Sequence, residues 1–588
     1  MKQTPLNIWS FLIRKQNQCV ITTLKIINWV LLLAFSIQLI CYAEQFHESR
    51  QWLNLHYYEK TGDGYLSLAD SNQFFVSKNG RTNPEAEYIK ALALSKKQDR
   101  DFREKFPLRY KIITQVNNLS YEPLVFPDPD IQDIQIVYPN QYLSNPASMF
   151  GHLFLLLRSK NGITDSTILH YVADTGDVGS LGYIPGGLTG KFEGRYLMEP
   201  YYKKIKQYNY VDDRQIIYYD LVLTKKSINN LQLHAIELKQ THFNYYFLNE
   251  NCAFFIGKLL NVVLEEDVVS LKSLILPSQI VNTLHDKFLL SSEYHRKPGT
   301  QLFNDYYSNL NRSQRVDVID LILKKTTNIP SDQNTLKSFL YISDYLINNY
   351  PRLTPVIRYN RIRAFKELRK QGDVNIRPSL QKQNEVSKIK SKKISLDYEL
   401  YNRFSIYYSP VYYRDISSFN MLQTKEMDLL SSGVIIDSKV SPLYTLTLID
   451  IINTSQYNKV LNAYSWRVNS FFAYKKKLLT DQSFESGFSY NIKNQSVVFG
   501  FLGFNYASYD QVKDEALNNL QLNPSMRVGV KQKVFDENTN WSVSYNYRYR
   551  HNYIALNLTH HGFKAIHQVS YSHGYDFDKI KLSTIIPF

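Results

Sequence analysis

One cysteine and two histidines carry the nucleophilic chemistry this sequence can offer. Cys252 lies in the stretch from Tyr245 to Leu260, which reads Tyr-Tyr-Phe-Leu-Asn-Glu-Asn-Cys-Ala-Phe-Phe-Ile-Gly-Lys-Leu-Leu. The other cysteines, Cys19 and Cys41, sit near the N-terminus. About a hundred residues upstream of Cys252 comes Ser148-Met-Phe-Gly-His152-Leu-Phe-Leu-Leu-Leu157. A thiol with a pKa of ~8.5 is mostly protonated at neutral pH and needs a base to become a nucleophile. An imidazole with a pKa of ~6.5 can take that proton and later return it to a leaving group. His152 follows a glycine at the start of an apolar run, where its ring can stand free. His170 lies on the expected returning strand and is the candidate third member that orients His152. Read from the residues alone, Cys252 as nucleophile and Cys252 as a buried, inert thiol both remain open.

The elements that must position these groups follow from patterning. Gly151 to Arg158 is a continuous apolar run, as in a buried strand, and Lys160-Asn-Gly162 is a hairpin signal leading to Ser166–Val172. Ile216–Leu223 reads as another strand, and 226–239 as an amphipathic helix entered through Thr224 or Ser227. Phe255, Leu259 and Val262 fall on one face at helical spacing, which places Cys252 in the first turn of a helix. The positive end of that helix favours a thiolate. Gly176 to Gly194 reads as a glycine-rich loop without the lysine spacing of a phosphate-binding loop.

Upstream, 44–110 reads as mainly helical. Pro84 to Leu94 is capped by Asn83, and His56 is packed in an apolar face rather than acting as a ligand. Residues 267–378 read as helical again, interrupted by prolines. Ile26 to Ile40 is an apolar run after basic residues that ends at Cys41-Tyr-Ala43, a signal-peptide pattern.

The 588 residues carry a net charge of +16 and 46 tyrosines. The length calls for several domains, and the tyrosines suit strands and membrane–water interfaces. Basic surfaces meet lipid head groups or nucleic acid; no zinc-finger or RNA-binding signature accompanies this charge, so nucleic acid is not expected as a partner. No metal or other cofactor is expected, because the histidines are scattered without ligand spacing. His560 and His561 read as a strand or turn pair.

Beyond a polar, lysine-rich stretch at 380–394 the pattern changes to period two, as in 463–471, 541–549 and 580–588. About ten to twelve strands of membrane-crossing length fit this region. Ile580, Leu582, Thr584, Ile586 and Phe588 share one face, as in the closing strand of an outer-membrane barrel. A soluble β-sandwich alternates in the same way.

Three segments together resemble one family. They are Ser148-Met-Phe-Gly-His152-Leu-Phe-Leu, the run from Gly194 to Asn209 (Gly-Arg-Tyr-Leu-Met-Glu-Pro-Tyr-Tyr-Lys-Lys-Ile-Lys-Gln-Tyr-Asn), and Phe243-Asn-Tyr-Tyr-Phe-Leu-Asn-Glu-Asn-Cys252. In order and spacing, 113–285 resembles the Lnb N-terminal periplasmic domain family, named for a bacterial lipoprotein N-acyltransferase. That family is similar to circularly permuted papain-like proteins, including lecithin–retinol acyltransferase and NlpC/P60 relatives, in which the histidine precedes the cysteine and an Asn-Cys pair opens a helix. The resemblance implies Cys252 as nucleophile and His152 as base, with His170 where such folds place a polar third residue. Asn251 and Ser148 are the expected oxyanion or supporting residues. The segment after Cys252 is more apolar than in many members, and the C-terminal region is β-structured rather than the helical membrane domain of the acyltransferase itself.

The expected class is therefore α+β: a circularly permuted papain-like domain with helical flanks, then an all-β domain forming an outer-membrane barrel. The expected divisions are a signal peptide at 1–43, a helical domain at 44–112, the papain-like domain at 113–285, a helical region at 286–379, a linker at 380–394 and the β-domain at 395–588. The expected function is a cell-envelope acyltransferase or thioester-forming hydrolase acting on phospholipid or lipoprotein acyl groups, in the periplasm and outer membrane of a Gram-negative bacterium. A peptidoglycan peptidase or amidase and a non-catalytic binding module are the alternatives. Phe254 and Phe255 beside Cys252 favour an apolar, lipid-accepting groove.

Overall fold

The computed structural model describes 46–588 except 144–148, 177–179, 265, 273, 373–379, 401–402, 415–424, 438–439, 455–456, 458–463, 494–495, 512–514, 537, 563 and 576. The signal-peptide expectation and Ser148 lie outside the described residues.

The chain opens with helix α1 (Arg50–Leu55), a hairpin of β1 (Tyr58–Thr61) and β2 (Gly64–Ser67), and helices α2 (Pro84–Lys96), α3 (Arg100–Lys105) and α4 (Pro107–Val116). Asn83 caps α2, its side chain accepting from Ala86 N–H, with Pro84 in the first turn. His56 is fully buried, its Nδ1 3.0 Å from the Trp52 carbonyl.

Next come β3 (Ile131–Pro139), β4 (Phe154–Ser159), β5 (Thr167–Asp174), α5 (Ser180–Thr189), β6 (Phe192–Pro200), α6 (Tyr201–Ile205), β7 (Ile216–Leu221), α7 (Lys225–Glu237), β8 (Phe243–Tyr245), α8 (Cys252–Val263), α9 (Pro277–Asp286) and β9 (Leu290–Arg296). With β10 (Gln381–Lys382), the strands form one antiparallel eight-stranded sheet in the order β10-β9-β7-β3-β4-β5-β6-β8. One face of the sheet presents Leu155, Leu157, Leu169 and Tyr171 to α7, α8 and the N-terminal helices, which share its core. The opposite face presents Val137, Phe154, Leu156 and Ile168 to Tyr201, Ile205 and Tyr208. Both faces are covered, which explains the continuous apolar run of β4.

Two expectations need correction here. The glycine-rich stretch 176–194 is not all loop, because it contains α5. The region after 286 is not wholly helical, because β9 pairs with β7 and extends the sheet. The helices α10 (Gly299–Tyr307), α11 (Arg312–Leu323), α12 (Gln333–Asn349) and α13 (Thr354–Lys370) then build a separate small core around Phe303, Leu336, Phe339 and Ile357.

The remainder is a closed β-barrel of twelve strands. It comprises β11 (Lys393–Glu399), β12 (Arg403–Ser409) continued past Pro410 by β13 (Val411–Arg414), and ten long strands from β14 (Lys425–Asp437) to β23 (Phe577–Pro587). Both β12 and β13 pair with β14; proline donates no ladder hydrogen bond, so the wall breaks and bends at Pro410. The barrel closes where β11 pairs with β23, Ile394 opposite Ile586. Leu582, Ile586 and Phe588 face outward and are exposed, while Ser583 between them is buried. Phe484, Leu502, Phe504, Leu522, Leu556 and Leu558 extend the outward apolar surface.

The lumen is crowded rather than open. Asp481, Asn505 and Asn523 are buried, Arg548 is 2.9 Å from Asp481, and Arg527 is 3.3 Å from Glu485. Among the described residues no helix is long and apolar enough to cross a membrane; the membrane-crossing elements are strands. Contacts tie the two halves together. Leu143 and Leu276, with Met149, Phe150 and Leu274, pack against Val411, Met427, Leu429, Ile451 and Trp466 of the barrel. The turn just before His152 is therefore seated on barrel side chains.

Candidate functional site

Local chemistry places Cys252 at the start of α8. Asn251 adopts an extended conformation, and its Oδ1 accepts from the Ala253 and Phe254 N–H groups at 3.0 and 3.3 Å. Its Nδ2 donates to the Phe247 and Ile275 carbonyls at 3.1 and 2.8 Å. One side chain thus caps the helix and fastens the chain on either side of it. Asn251 consequently occupies two amides of the first turn of α8.

Cys252 is 5% exposed. Burial pushes its thiol up to about 11, against hydrogen bonds to the sulfur from Leu153 N–H, the Tyr245 hydroxyl and Ala253 N–H and against the positive Arg214. The Leu153 amide is available because ladder pairing of β4 begins only at Phe154.

His152 precedes that strand. Gly151 has φ +87, and a Cβ there would lie 2.9 Å from the Tyr138 ring, so this turn needs glycine. The His152 N–H donates to the Pro139 carbonyl at 3.3 Å. The ring packs at 5.8 Å from Tyr208 and 6.1 Å from Phe154. Burial first, then the positive fields of His170, Arg214 and Lys204, hold the imidazole well below its ordinary pKa, so it is neutral. Its Nε2 is buried without a hydrogen-bond partner, so ring and thiol are not joined through that nitrogen.

His170 sits directly across from Phe154 in the β4–β5 ladder, on the same face. Its Nε2 is 2.9 Å from Glu199 Oε2, and Lys204 reaches the same carboxylate at 3.1 Å. Burial, with Lys204, lowers the imidazole to about 4 despite Glu199.

The structure therefore gathers His152 and His170 on one face of the sheet, and gathers Cys252 with Leu153 at the end of β4. Tyr208 and Arg214 join the two groups. Tyr208 packs on His152, the Arg214 guanidinium lies 4.9 Å from the Tyr208 ring centroid, and the Cys252 thiol is among the smaller causes of the shifts of both groups. A six-residue π-helical turn, Lys206–Val211, carries Tyr208; such turns recur at functional sites. Sequence reasoning missed Tyr208, Arg214, Tyr245 and Glu199 as neighbours of the site. Tyr208, Tyr245 and Glu199 fall inside the quoted hallmark segments, whereas Arg214 gives no local signal. Gly194 is required by close approach, since a Cβ there would collide with the Tyr171 hydroxyl. Tyr171 in turn stacks on Phe255 and Tyr245 at 4.2 and 5.6 Å.

Phe254 and Phe255 are fully buried in the main core and line no open groove, which corrects the reading of them as a lipid-accepting surface. Among the described residues no cluster of histidine, cysteine and acidic side chains has metal-binding geometry.

Comparison with known proteins adds the following. The family model described as Lnb N-terminal periplasmic domain matches 127–286, and Domain of unknown function (DUF7843) matches 44–116. No curated protein matches the chain. Solved structures similar to the barrel include a KdgM porin in complex with disordered oligogalacturonate (8% identity, 34% of this chain, 99% of that chain, TM-score 0.24). A NanC porin (7%, 34%, 99%, 0.22) and outer membrane phospholipase A from Escherichia coli (6%, 34%, 90%, 0.20) are others. Residues 127–286 match the Lnb N-terminal periplasmic domain model and are followed by a closed twelve-strand β-barrel, an architecture that fits the periplasm and outer membrane.

Proposed function

We propose that Cys252 and His152 form a thiol acyl-transfer site acting on acyl groups of phospholipid or lipoprotein. The observation that carries the reading is that Cys252 opens α8 behind its Asn251 cap, with the Leu153 amide and the Tyr245 hydroxyl among the groups that draw its thiol down against burial. Hydrogen-bond donors fixed in a dry site stabilise negative charge without reorganising. The thiol proton passes to His152 as the sulfur forms a bond to the ester carbonyl carbon. The carbonyl oxygen, now negative, takes the Leu153 amide and the Tyr245 hydroxyl as its donors, with the Cys252 amide, an orphan of the first helical turn, as a third. The C–O bond breaks, His152 returns the proton to the leaving alcohol, and a thioester remains. An amine or water, deprotonated by His152, then releases the acyl group. Both groups start neutral, so charge separates only when an acyl carbonyl arrives. His170 and Glu199 fix the environment of His152.

Lipid is favoured as substrate because the turn before His152 packs on barrel residues, which sets the site against the barrel. One observation favours the non-catalytic alternative: Cys252 is 5% exposed, with its thiol pushed up.

The test is the intact mass of the full-length protein after incubation with bacterial phospholipid, beside Cys252→Ala. A hydroxylamine-sensitive acyl adduct on the unsubstituted protein alone is expected. An adduct that persists in Cys252→Ala refutes the assignment, and no adduct together with release of peptidoglycan stem peptides transfers the site to peptide substrates.

A further inference from the structure

The two halves of the chain enclose a cleft that the chemistry above does not use. Its volume is about 1420 Å³, and it lies at the end of the barrel where β11 begins and β23 finishes. One wall comes from the chain after α8 and includes Leu274 and Gln279; another is the end of β3, with Tyr138 and Asn140. Both walls back onto the candidate site. The Tyr138 ring is what requires glycine at 151, and the Ile275 carbonyl next to Leu274 is held by Asn251. The third wall is the barrel rim, with Tyr408 and Phe588.

The charge on this lining is one-sided. Lys272, Lys297, Lys388, Lys390, Lys392 and Arg414 lie along it, with Asp286 and Glu293 as the acids among the described residues. Asp286 is engaged by Lys388 at 2.6 Å, and Glu293 by His295 at 2.5 Å and the Ser387 N–H at 2.8 Å. Asp305 and Glu426, behind the lining, answer Lys297 and Arg414. Lys272 and Lys392 have no carboxylate partner among the described residues.

These lysines sit on a fixed strap. Ile389 exchanges hydrogen bonds with the Asn282 side chain at 2.8 and 2.9 Å, which fastens the strap to α9. Lys392 and Phe588 exchange both backbone hydrogen bonds, at 2.9 and 2.8 Å. That pair continues the β11–β23 ladder by one step, so the two side chains share a face. Two residues along, Tyr408, Ile394 and Ile586 form a cross-strand row on the same face. Tyr408, Ile586 and Phe588 are exposed there. Lys392 therefore stands at the rim of the outward apolar surface. A lysine and aromatic rings at the edge of an apolar band mark the level of lipid head groups.

We propose that this cleft seats the phosphate head group of an anionic glycerophospholipid of the periplasmic leaflet. Lys272 and Lys392 answer its charge, and its acyl chains lie along Tyr408, Ile394 and Ile586. The periplasmic half enters the barrel at this rim, so the leaflet within reach is the periplasmic one. The seat stands without the acyl-transfer reading; only its service as a substrate seat rests on that reading.

The test titrates the full-length protein, in uncharged detergent, with an ether-linked phosphatidylglycerol that a thiol cannot cleave, and reads bound lipid by native mass spectrometry. Lys272→Gln with Lys392→Gln is compared with the unsubstituted chain and with Lys96→Gln plus Lys366→Gln, an equal change of charge at exposed positions outside the cleft. A lysine near an anionic head group is worth about fivefold in affinity, so the cleft pair should weaken binding about thirtyfold and the control pair less than twofold. No bound lipid in the unsubstituted chain overturns the proposal, as does an equal loss in both pairs. Inorganic phosphate is titrated in parallel; binding as tight as that of the lipid, with the same lysine dependence, assigns the cleft to free phosphate and also overturns it. Should the cleft pair fail to fold, Lys272→Gln alone decides, and a change below twofold is the refuting result. The acyl-adduct measurement reports separately: lysine-dependent lipid binding without an adduct keeps the seat and removes the thioester reading.

Discussion

Asn251 gives the sharpest test of how the site is held. Its side chain makes four hydrogen bonds, three of them buried: Oδ1 caps α8 through the Ala253 and Phe254 amides, and Nδ2 ties the Phe247 and Ile275 carbonyls. Replacing it with alanine loses the cap, about 1 kcal/mol. It also strands two carbonyls, at about 1–3 kcal/mol each when they cannot be resolvated. A total of about 3–7 kcal/mol is expected for Asn251→Ala. Aspartate is normally as good a cap as asparagine, so helix propensity alone predicts that Asn251→Asp is nearly silent. The structure predicts otherwise. The second carboxylate oxygen would face the Phe247 and Ile275 carbonyls, acceptor against acceptor, in a site where Asn251 is 5% exposed. Asn251→Asp should therefore destabilise at least as much as Asn251→Ala. The assay is amide hydrogen exchange of α8 from Phe255 to Leu260, which reports the free energy of opening that helix. Protection in Asn251→Asp within about 1 kcal/mol of the unsubstituted protein would refute the two-sided role of Asn251.

Two further outcomes follow from buried charge. Arg109 is fully buried in α4, its N–H donating to Glu237 Oε1 at 2.8 Å and its guanidinium reaching Glu87 at 3.5 Å and Glu237 at 3.7 Å; Arg109→Ala leaves these buried carboxylates without their counter-charge and should cost about 3–5 kcal/mol, read as lost exchange protection in both α2 and α7, and a loss below 1 kcal/mol would contradict it. Folded His170 takes a proton only near about 4, whereas the unfolded chain does so near ~6.5, so the unfolded state binds more protons between these values. Stability is full above ~6.5 and falls as pH drops toward about 4; His170→Gln should flatten that part of the pH profile, and an unflattened profile would exclude His170 as the group responsible.

The sequence by itself determined what depends on near neighbours. Period two from about 463 onward sets which barrel side chains face lipid, and Ile580 to Phe588 shows that alternation without any tertiary information. Asn83-Pro84 fixes its helix start, because a cap needs only a side-chain oxygen and the next turn, whereas the sequence left Thr224 and Ser227 both open and the fold took Thr224. The 3.6-residue spacing of Phe255, Leu259 and Val262 was enough to put Cys252 in a first turn. Other features needed the folded chain. Leu290–Arg296 has too weak an alternation to announce a strand, and only pairing with β7 makes it one. Phe254 and Phe255 read as a possible groove until the sheet covered them. The free thiol is legible in the sequence; its raised pKa is not, since desolvation depends on everything packed around it. Arg214 illustrates the same division. A single arginine after two aspartates carries no local signature, and only the tertiary structure buries it against Tyr208 and ties it to the Pro139 carbonyl that also holds His152.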